Sequence, residues 1–114
     1  MLEALWSMEF ASNVGGAGAG MVVLETGRVL GGDPSFTVIG SYKMTPQGVV
    51  EVKVRVKRFR ADPRYQSIFG AGFDDLELQL AGRPERESFD LQGSVVGAPA
   101  RQVKVRLVRR GELP

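Results

Sequence analysis

The sequence predicts an all-β protein that forms an eight-stranded, antiparallel up-and-down barrel. Apolar residues recur at every second position, as in Val50, Val52, Val54 and Val56, which alternate with charged residues, and this is the pattern of strands with one buried face. Turn signals rich in Gly, Pro, Asn and Asp separate these runs at short, even spacing. Short connections make neighbours along the chain antiparallel neighbours in the sheet, and closure removes exposed edges. A two-sheet sandwich is the alternative.

The first four predicted strands cover residues 5–12, 20–26, 28–31 and 35–44. The second and third flank Thr26-Gly27, which is typical of a tight turn. The third is short, and the second alternates less cleanly than the others. The residues that define the parity of the first and fourth strands are Trp6, Met8, Phe10, Phe36, Val38 and Tyr42.

The last four predicted strands cover residues 49–60, 73–81, 88–96 and 101–109. On the fifth strand Lys53, Arg55 and Lys57 share the polar face, and Asp75 and Glu77 share the polar face of the sixth. Because these strands are neighbours, we expect opposite-charge pairs across them. We therefore interpret the basic row as a solvated, partly paired face.

The segment between the fifth and sixth strands has no alternation of apolar residues. Asp62 precedes Pro63, and this order favours a helix cap followed by Pro at the first helical position. We predict one short helical turn near residues 62–68, with a structured loop as the alternative.

The predicted inward-facing side chains are bulky, so we expect them to fill the barrel. An eight-stranded barrel has an interior just large enough to be filled by side chains or to hold one small ligand. The inward set is Trp6, Phe10, Val23, Phe36, Val38, Tyr42, Val52, Val54, Leu78, Leu91, Val105 and Leu107.

Composition excludes several function classes. The chain has 114 residues, enough for a single domain over residues 1–114, and it contains neither Cys nor His. Disulfides, thiol nucleophiles, histidine-dependent triads and ordinary zinc sites are therefore excluded. The formal net charge is +2, and no long basic arm or apolar span is present. We expect a cytoplasmic, non-enzymatic protein with no metal or other cofactor, no membrane association and no nucleic-acid partner.

A glycine-rich stretch, Asn13 to Gly20, contains Gly16-x-Gly18-x-Gly20. A phosphate-binding loop needs a helix N-terminus after such glycines. A β-like run, Met21 to Leu24, follows instead. We interpret the stretch as a flexible hairpin connection.

The N-terminal half resembles the GrlR family, small bacterial negative regulators associated with type III secretion. The resemblance covers roughly residues 4–60. It lies in an opening strand with an aromatic residue and Ser-x-x-Phe-x-Ser, a Gly-x-Gly hairpin, a Gly-Gly-Asp turn and a strand with Gly-x-Tyr. The matching residues are Leu5 to Ser12, Gly18 to Asp33, Phe36, Gly40 and Tyr42.

The resemblance implies a calycin-like or lipocalin-like barrel, often dimeric, without catalytic activity. It also implies a regulatory role in which a partner such as a transcription activator is sequestered from DNA, partly through an acidic stretch after the Gly-x-Tyr strand. The corresponding residues here, Lys43 to Gly48, include no acidic side chain.

Three function hypotheses follow. One is a nucleic-acid binder that uses the basic rows, and the expected pairing of those rows with acidic side chains disfavours it. The other two have candidate residues. The first is a regulatory, protein-binding homodimer whose partner surface includes Lys43, Gln47, Arg64, Tyr65 and Phe69, in irregular segments. The alternative is a binder or sensor of a small hydrophobic ligand in the barrel. Its lining residues would be Trp6, Phe10, Phe36, Val38 and Tyr42.

Overall fold

A computed structural model describes residues 2–114 and shows a closed barrel of eight antiparallel strands. Each strand pairs with its neighbours in chain order, and β1 closes the barrel against β8. The predicted fold class is confirmed, and a calycin-like barrel fits this architecture. The strands are β1 (Ala4–Ser12), β2 (Ala17–Glu25), β3 (Arg28–Gly32), β4 (Phe36–Met44), β5 (Val50–Arg58), β6 (Asp75–Gly82), β7 (Ser88–Val95) and β8 (Ala98–Gly111).

The two ends of the barrel differ because the connections alternate between them. The connections after β1, β3, β5 and β7 lie at one end, which we call the open end. The connections after β2, β4 and β6 lie at the other, the closed end, together with the start of β1 and the last residues of β8. The longest connection, residues 59–74, is therefore at the open end.

Trp6 plugs the closed end. Its side chain is 0% exposed, and its ring meets the Phe89 ring edge-on with centroids 5.2 Å apart. The indole Nε1 donates a hydrogen bond to the Leu2 carbonyl at 2.9 Å. The Arg109 guanidinium lies 4.9 Å from the Trp6 ring centroid, and its Nε donates to the Arg86 carbonyl at 2.8 Å. The contacts of the Trp6 ring with Phe89 and with the Arg109 guanidinium thus seal this end from water.

Two glycines allow neighbouring strands to approach each other closely. Gly40 on β4 pairs with Val54, and Gly93 on β7 pairs with Leu80, so both occupy inward positions. A Cβ atom at Gly40 would overlap the Lys53 carbonyl, and a Cβ at Gly93 would overlap the Gln79 carbonyl. The missing side chains let the sheet turn tightly enough to close.

One inward residue was predicted wrongly. Val23 pairs with Leu5 on the outer face, whereas Val22, the partner of Trp6, and Leu24 are buried. The connection predicted over residues 13–20 is also shorter than expected, because β2 begins at Ala17 and only residues 13–16 join it to β1. Four small residues open this strand, and their pattern does not show which parity faces inward.

No helix forms near residues 62–68, and the alternative, a structured loop, is found there. The Tyr65 amide donates to the Asp62 carbonyl at 3.0 Å, which closes a turn, but the chain then runs toward the mouth of the barrel. A second turn follows, in which the Gly70 amide donates to the Ser67 carbonyl at 3.1 Å, and Phe69 within this turn is buried. None of the described residues forms a helix, so none forms a helix that could cross a membrane.

The predicted charge pairing across β5 and β6 is confirmed. Arg55 Nε lies 2.8 Å from Asp75 Oδ1, and Lys53 Nζ lies 3.9 Å from a Glu77 carboxylate oxygen. The Arg55 hydrogen bond lowers the pKa of the Asp75 carboxyl below its ordinary value. Much of the basic row is therefore neutralised within the sheet.

Candidate ligand-binding cavity

The barrel encloses a cavity of about 380 Å³ that reaches the open end. The expected filled core is therefore wrong. The inner wall is built mainly from Val and Leu, and Gly40 and Gly93 add no side chain at their inward positions. The aliphatic lining is Met8, Val22, Leu24, Val29, Val38, Val50, Val52, Val54, Val56, Ile68, Leu76, Leu78, Leu80, Leu91, Val103, Val105 and Leu107.

Three of the five predicted lining residues contribute to this cavity. Phe10, Phe36 and Val38 line it. Trp6 and Tyr42 do not, because both lie on their strands near the closed end. Trp6 instead packs against Phe89, which forms part of the cavity floor.

Polar side chains line the cavity only at its mouth. Five polar or ionisable residues belong to the lining: Asp33, Arg64, Tyr65, Gln66 and Ser67. Asp33 belongs to the β3–β4 turn and the others to the β5–β6 connection. The wall contributed by the strands is therefore purely apolar, and a molecule inside it would meet no polar side chain.

Residues 64–69 cross the open end, and we call them the lid. Phe69 is only 4% exposed and belongs to the hydrophobic core, with Ile68 packed beside it. The Ser12 hydroxyl donates a hydrogen bond to the Ile68 carbonyl. A Cβ atom on Gly16 would overlap that same carbonyl, so the lid backbone lies directly against the β1–β2 hairpin.

Arg58 anchors the connection that carries the lid. Its guanidinium donates to the Tyr65 carbonyl at 3.0 Å and to the Arg60 carbonyl at 3.3 Å, and Nη2 lies 3.2 Å from Asp74 Oδ1. The same group lies 4.6 Å from the centroid of the Phe36 ring. One side chain, 17% exposed, therefore ties the lid to both ends of the 59–74 connection and to the barrel wall.

The five residues predicted for a partner surface do not form one surface. Lys43, which pairs with Glu51 at 3.7 Å, and Gln47 lie near the closed end. Arg64 and Tyr65 are exposed at the open end, whereas Phe69, the last residue of the lid, is buried. The separation follows from topology, because connections after β4 and β5 lie at opposite ends.

Asp62 holds the lid turn through ionic hydrogen bonds. Its carboxylate accepts from Arg64 Nη2 at 2.9 Å and from the Arg64 amide at 3.0 Å, and Arg60 Nη2 lies 3.3 Å away. The Arg64 side-chain hydrogen bond, then the backbone one, lower the pKa of the Asp62 carboxyl. Because the folded pKa lies below the unfolded value, this stabilisation is present above the unfolded pKa and is lost as the pH falls through the folded one.

We expect the Asp62 carboxyl carbon to titrate by NMR with a midpoint below about 3.9, the usual value for Asp. In the Arg64→Gln variant the midpoint should rise toward that value, because the ionic hydrogen bonds are lost. The Asp75 midpoint, which Arg55 lowers, serves as the internal control and should not change. An Asp62 midpoint that is the same in both proteins would contradict the assigned contact.

Sequence reasoning missed Ser12, Gly16 and Arg58 as residues that position the lid. Ser12 is 56 residues from its partner Ile68, and only the closed barrel brings them together. For Arg58 the sequence did offer one indication, because Arg58 ends the basic row at the point where apolar and polar residues stop alternating. The glycine-rich hairpin also carried a signal, because a glycine can mark the close approach of another backbone.

The described residues, 2–114, contain no cluster of acidic side chains that could hold a metal ion. The fold and the cavity together define a closed β-barrel with a lidded, ligand-sized interior. No protein-family model matches this chain, and a search of curated proteins finds no match either. The resemblance to the GrlR family stays a prediction.

Proposed function

We propose that this protein is a non-catalytic, cytoplasmic binding protein that holds a small apolar molecule inside its barrel. The observation that carries the proposal is the lidded cavity of about 380 Å³ with an aliphatic wall. Ligand sites typically span about 300–1,000 Å³ and are lined mainly by apolar groups. Transfer of hydrocarbon from water into such a site contributes roughly 0.8 kcal/mol for each buried CH₂.

Filling the cavity should weaken binding. We expect Val54→Trp, which places an indole in the interior, to weaken binding of the neutral fluorescent probe N-phenyl-1-naphthylamine at least about tenfold. Val54 lines the cavity on β5. Val52→Phe, a smaller addition to the same wall, should weaken binding less. Circular dichroism and urea unfolding check that both variants fold.

Ile39→Trp provides the matched control, because Ile39 is 54% exposed on the outer face. It should bind the probe as the unmodified protein does. Equal affinities for folded Val54→Trp and unmodified protein would contradict a ligand site inside the barrel.

A second candidate function is the one that the GrlR resemblance implies, a regulatory domain that sequesters a partner protein such as a transcription activator. One observation favours a protein contact. The cross-strand row Leu5, Val23, Leu30 and Ile39 lies in register on the outer face of β1 to β4. Leu30 and Ile39 are exposed, and so is the nearby Met21. Apolar patches of this kind commonly mark interaction sites.

For this second candidate we propose that the row pairs with a second copy of the chain, as in an isologous dimer. Sedimentation velocity should give the mass of a dimer, and Ile39→Glu should give a monomer. Lys43→Glu, an exposed charge change near the closed end, should leave the dimer intact. A monomer at every concentration would contradict the dimer, and a pull-down from the native host that recovers only this chain would contradict sequestration.

A further inference from the structure

The distribution of polar groups around the cavity specifies more about the ligand than the volume of the cavity does. Every lining residue contributed by a strand is apolar or a glycine. A polar group held at that depth would lose its hydrogen bonds to water and find no side chain to replace them, which strongly disfavours its burial. The part of the ligand inside the barrel must therefore be hydrocarbon.

The mouth of the cavity differs from the apolar interior in charge as well as in polarity. Arg64 is the only cationic residue that lines the cavity among residues 2–114. Its side chain is 76% exposed, and its carboxylate partner Asp62 is also within 3.3 Å of Arg60. Arg64 can therefore turn toward a ligand without leaving Asp62 unpaired.

Asp33 is the acidic residue at the same mouth, and its carboxylate already accepts hydrogen bonds from the backbone. Its Oδ1 accepts hydrogen bonds from the backbone amides of Ser35 at 2.9 Å and Phe36 at 2.8 Å, which fix the β3–β4 turn. The solvent-exposed cation at the mouth is the guanidinium of Arg64, whose Nε and Nη2 donate to the Asp62 carboxylate at 3.1 and 2.9 Å. A guanidinium binds carboxylates through paired, charge-assisted hydrogen bonds.

Building on the proposed function, we infer that the ligand is a single-chain amphiphile with an anionic head, whose hydrocarbon tail fills the barrel and whose carboxylate lies at the lid beside Arg64. The size agrees with a chain of moderate length. A cavity of about 380 Å³ holds roughly a dozen groups the size of a water molecule, which takes about 30 Å³ in the liquid.

Three probes with the same ten-carbon tail test the head group. Decanoate, decanol and decyltrimethylammonium compete with N-phenyl-1-naphthylamine for the cavity. We expect decanoate to bind at least about tenfold more tightly than decanol, and decyltrimethylammonium to bind most weakly. The comparison isolates the head because the buried tail is the same.

Two variants assign the preference to Arg64. Arg64→Gln should remove the advantage of decanoate, which is measured as the ratio of decanoate to decanol affinity in the same variant. Arg101→Gln is the control, since the Arg101 guanidinium lies near the open end, 5.2 Å from the centroid of the Phe73 ring, but Arg101 does not line the cavity. It should keep the full preference, and circular dichroism checks that both variants fold.

The outcomes separate this inference from the proposed function. If N-phenyl-1-naphthylamine and all three competitors fail to bind, both are wrong. If the probe and decanol bind but decanoate gains nothing, or if its advantage survives in Arg64→Gln, the proposed function stands and the anionic head is wrong. Preference for decanoate that disappears only in Arg64→Gln supports both.

Discussion

Replacing Trp6 by Ala is expected to lower the free energy of unfolding by about 3–5 kcal/mol, the usual cost of removing a buried Trp or Phe side chain. Trp6 is fully buried, and the change removes its edge-on contact with Phe89 and its hydrogen bond to the Leu2 carbonyl. It also leaves the Arg109 guanidinium without the ring beneath it. Urea unfolding followed by far-UV circular dichroism measures the loss.

Phe59→Ala is the matched control for this prediction. Phe59 is also aromatic, but it is 60% exposed at the start of the β5–β6 connection. Its replacement should change stability by no more than about 0.5 kcal/mol, as exposed substitutions usually do. A loss below about 1 kcal/mol for Trp6→Ala would mean that Trp6 does not seal the barrel.

The second large effect is expected for Gly93→Ala. A Cβ atom at this position would overlap the Gln79 carbonyl and crowd the Leu80 backbone. To make room, β6 and β7 would have to move apart along the whole ladder that joins them. Overpacking of this kind typically costs about 1–3 kcal/mol, and the backbone position of the overlap places Gly93→Ala at the upper end. Thermal and urea unfolding measure the change.

Gly111→Ala tests whether the cost comes from crowding or from replacing any strand glycine. Gly111 ends β8, and no atom would lie within 4 Å of a Cβ built there. We expect the stability of the Gly111→Ala variant to be unchanged or slightly higher than that of the unmodified protein, since Ala reduces the conformational freedom of the unfolded chain. Equal losses at both positions would contradict the close approach of β6 and β7.

The sequence predicted the architecture because its signal was local and repeated. The alternation of apolar and polar residues on β5, β6 and β8 determines which face of each strand is exposed to solvent. The short turns make antiparallel pairing of consecutive strands the simplest topology. The charge pair between Arg55 and Asp75 followed from the same register. The error at Val23 arose where this signal fades, in the small residues that open β2.

The cavity and its lid could not be predicted in the same way. Interior volume depends on how closely the strands approach at Gly40 and Gly93, which is set by pairs of residues distant in sequence. The lid depends on the contact of Ser12 with Ile68, which exists only after the barrel closes. Phe69 looked like a surface residue because a loop sequence does not show which side chain turns inward.

The measurement that tests the central claim most directly is the location of a bound chain by methyl NMR. With decanoate added to protein labelled at Val and Leu methyl groups, intermolecular nuclear Overhauser effects should connect the acyl chain to interior residues such as Val52, Val54 and Val105, which line the cavity. The outer residues Val23 and Leu30 should show none. Effects confined to Val23 and Leu30, with the interior methyl groups unchanged at saturating decanoate, would contradict the account.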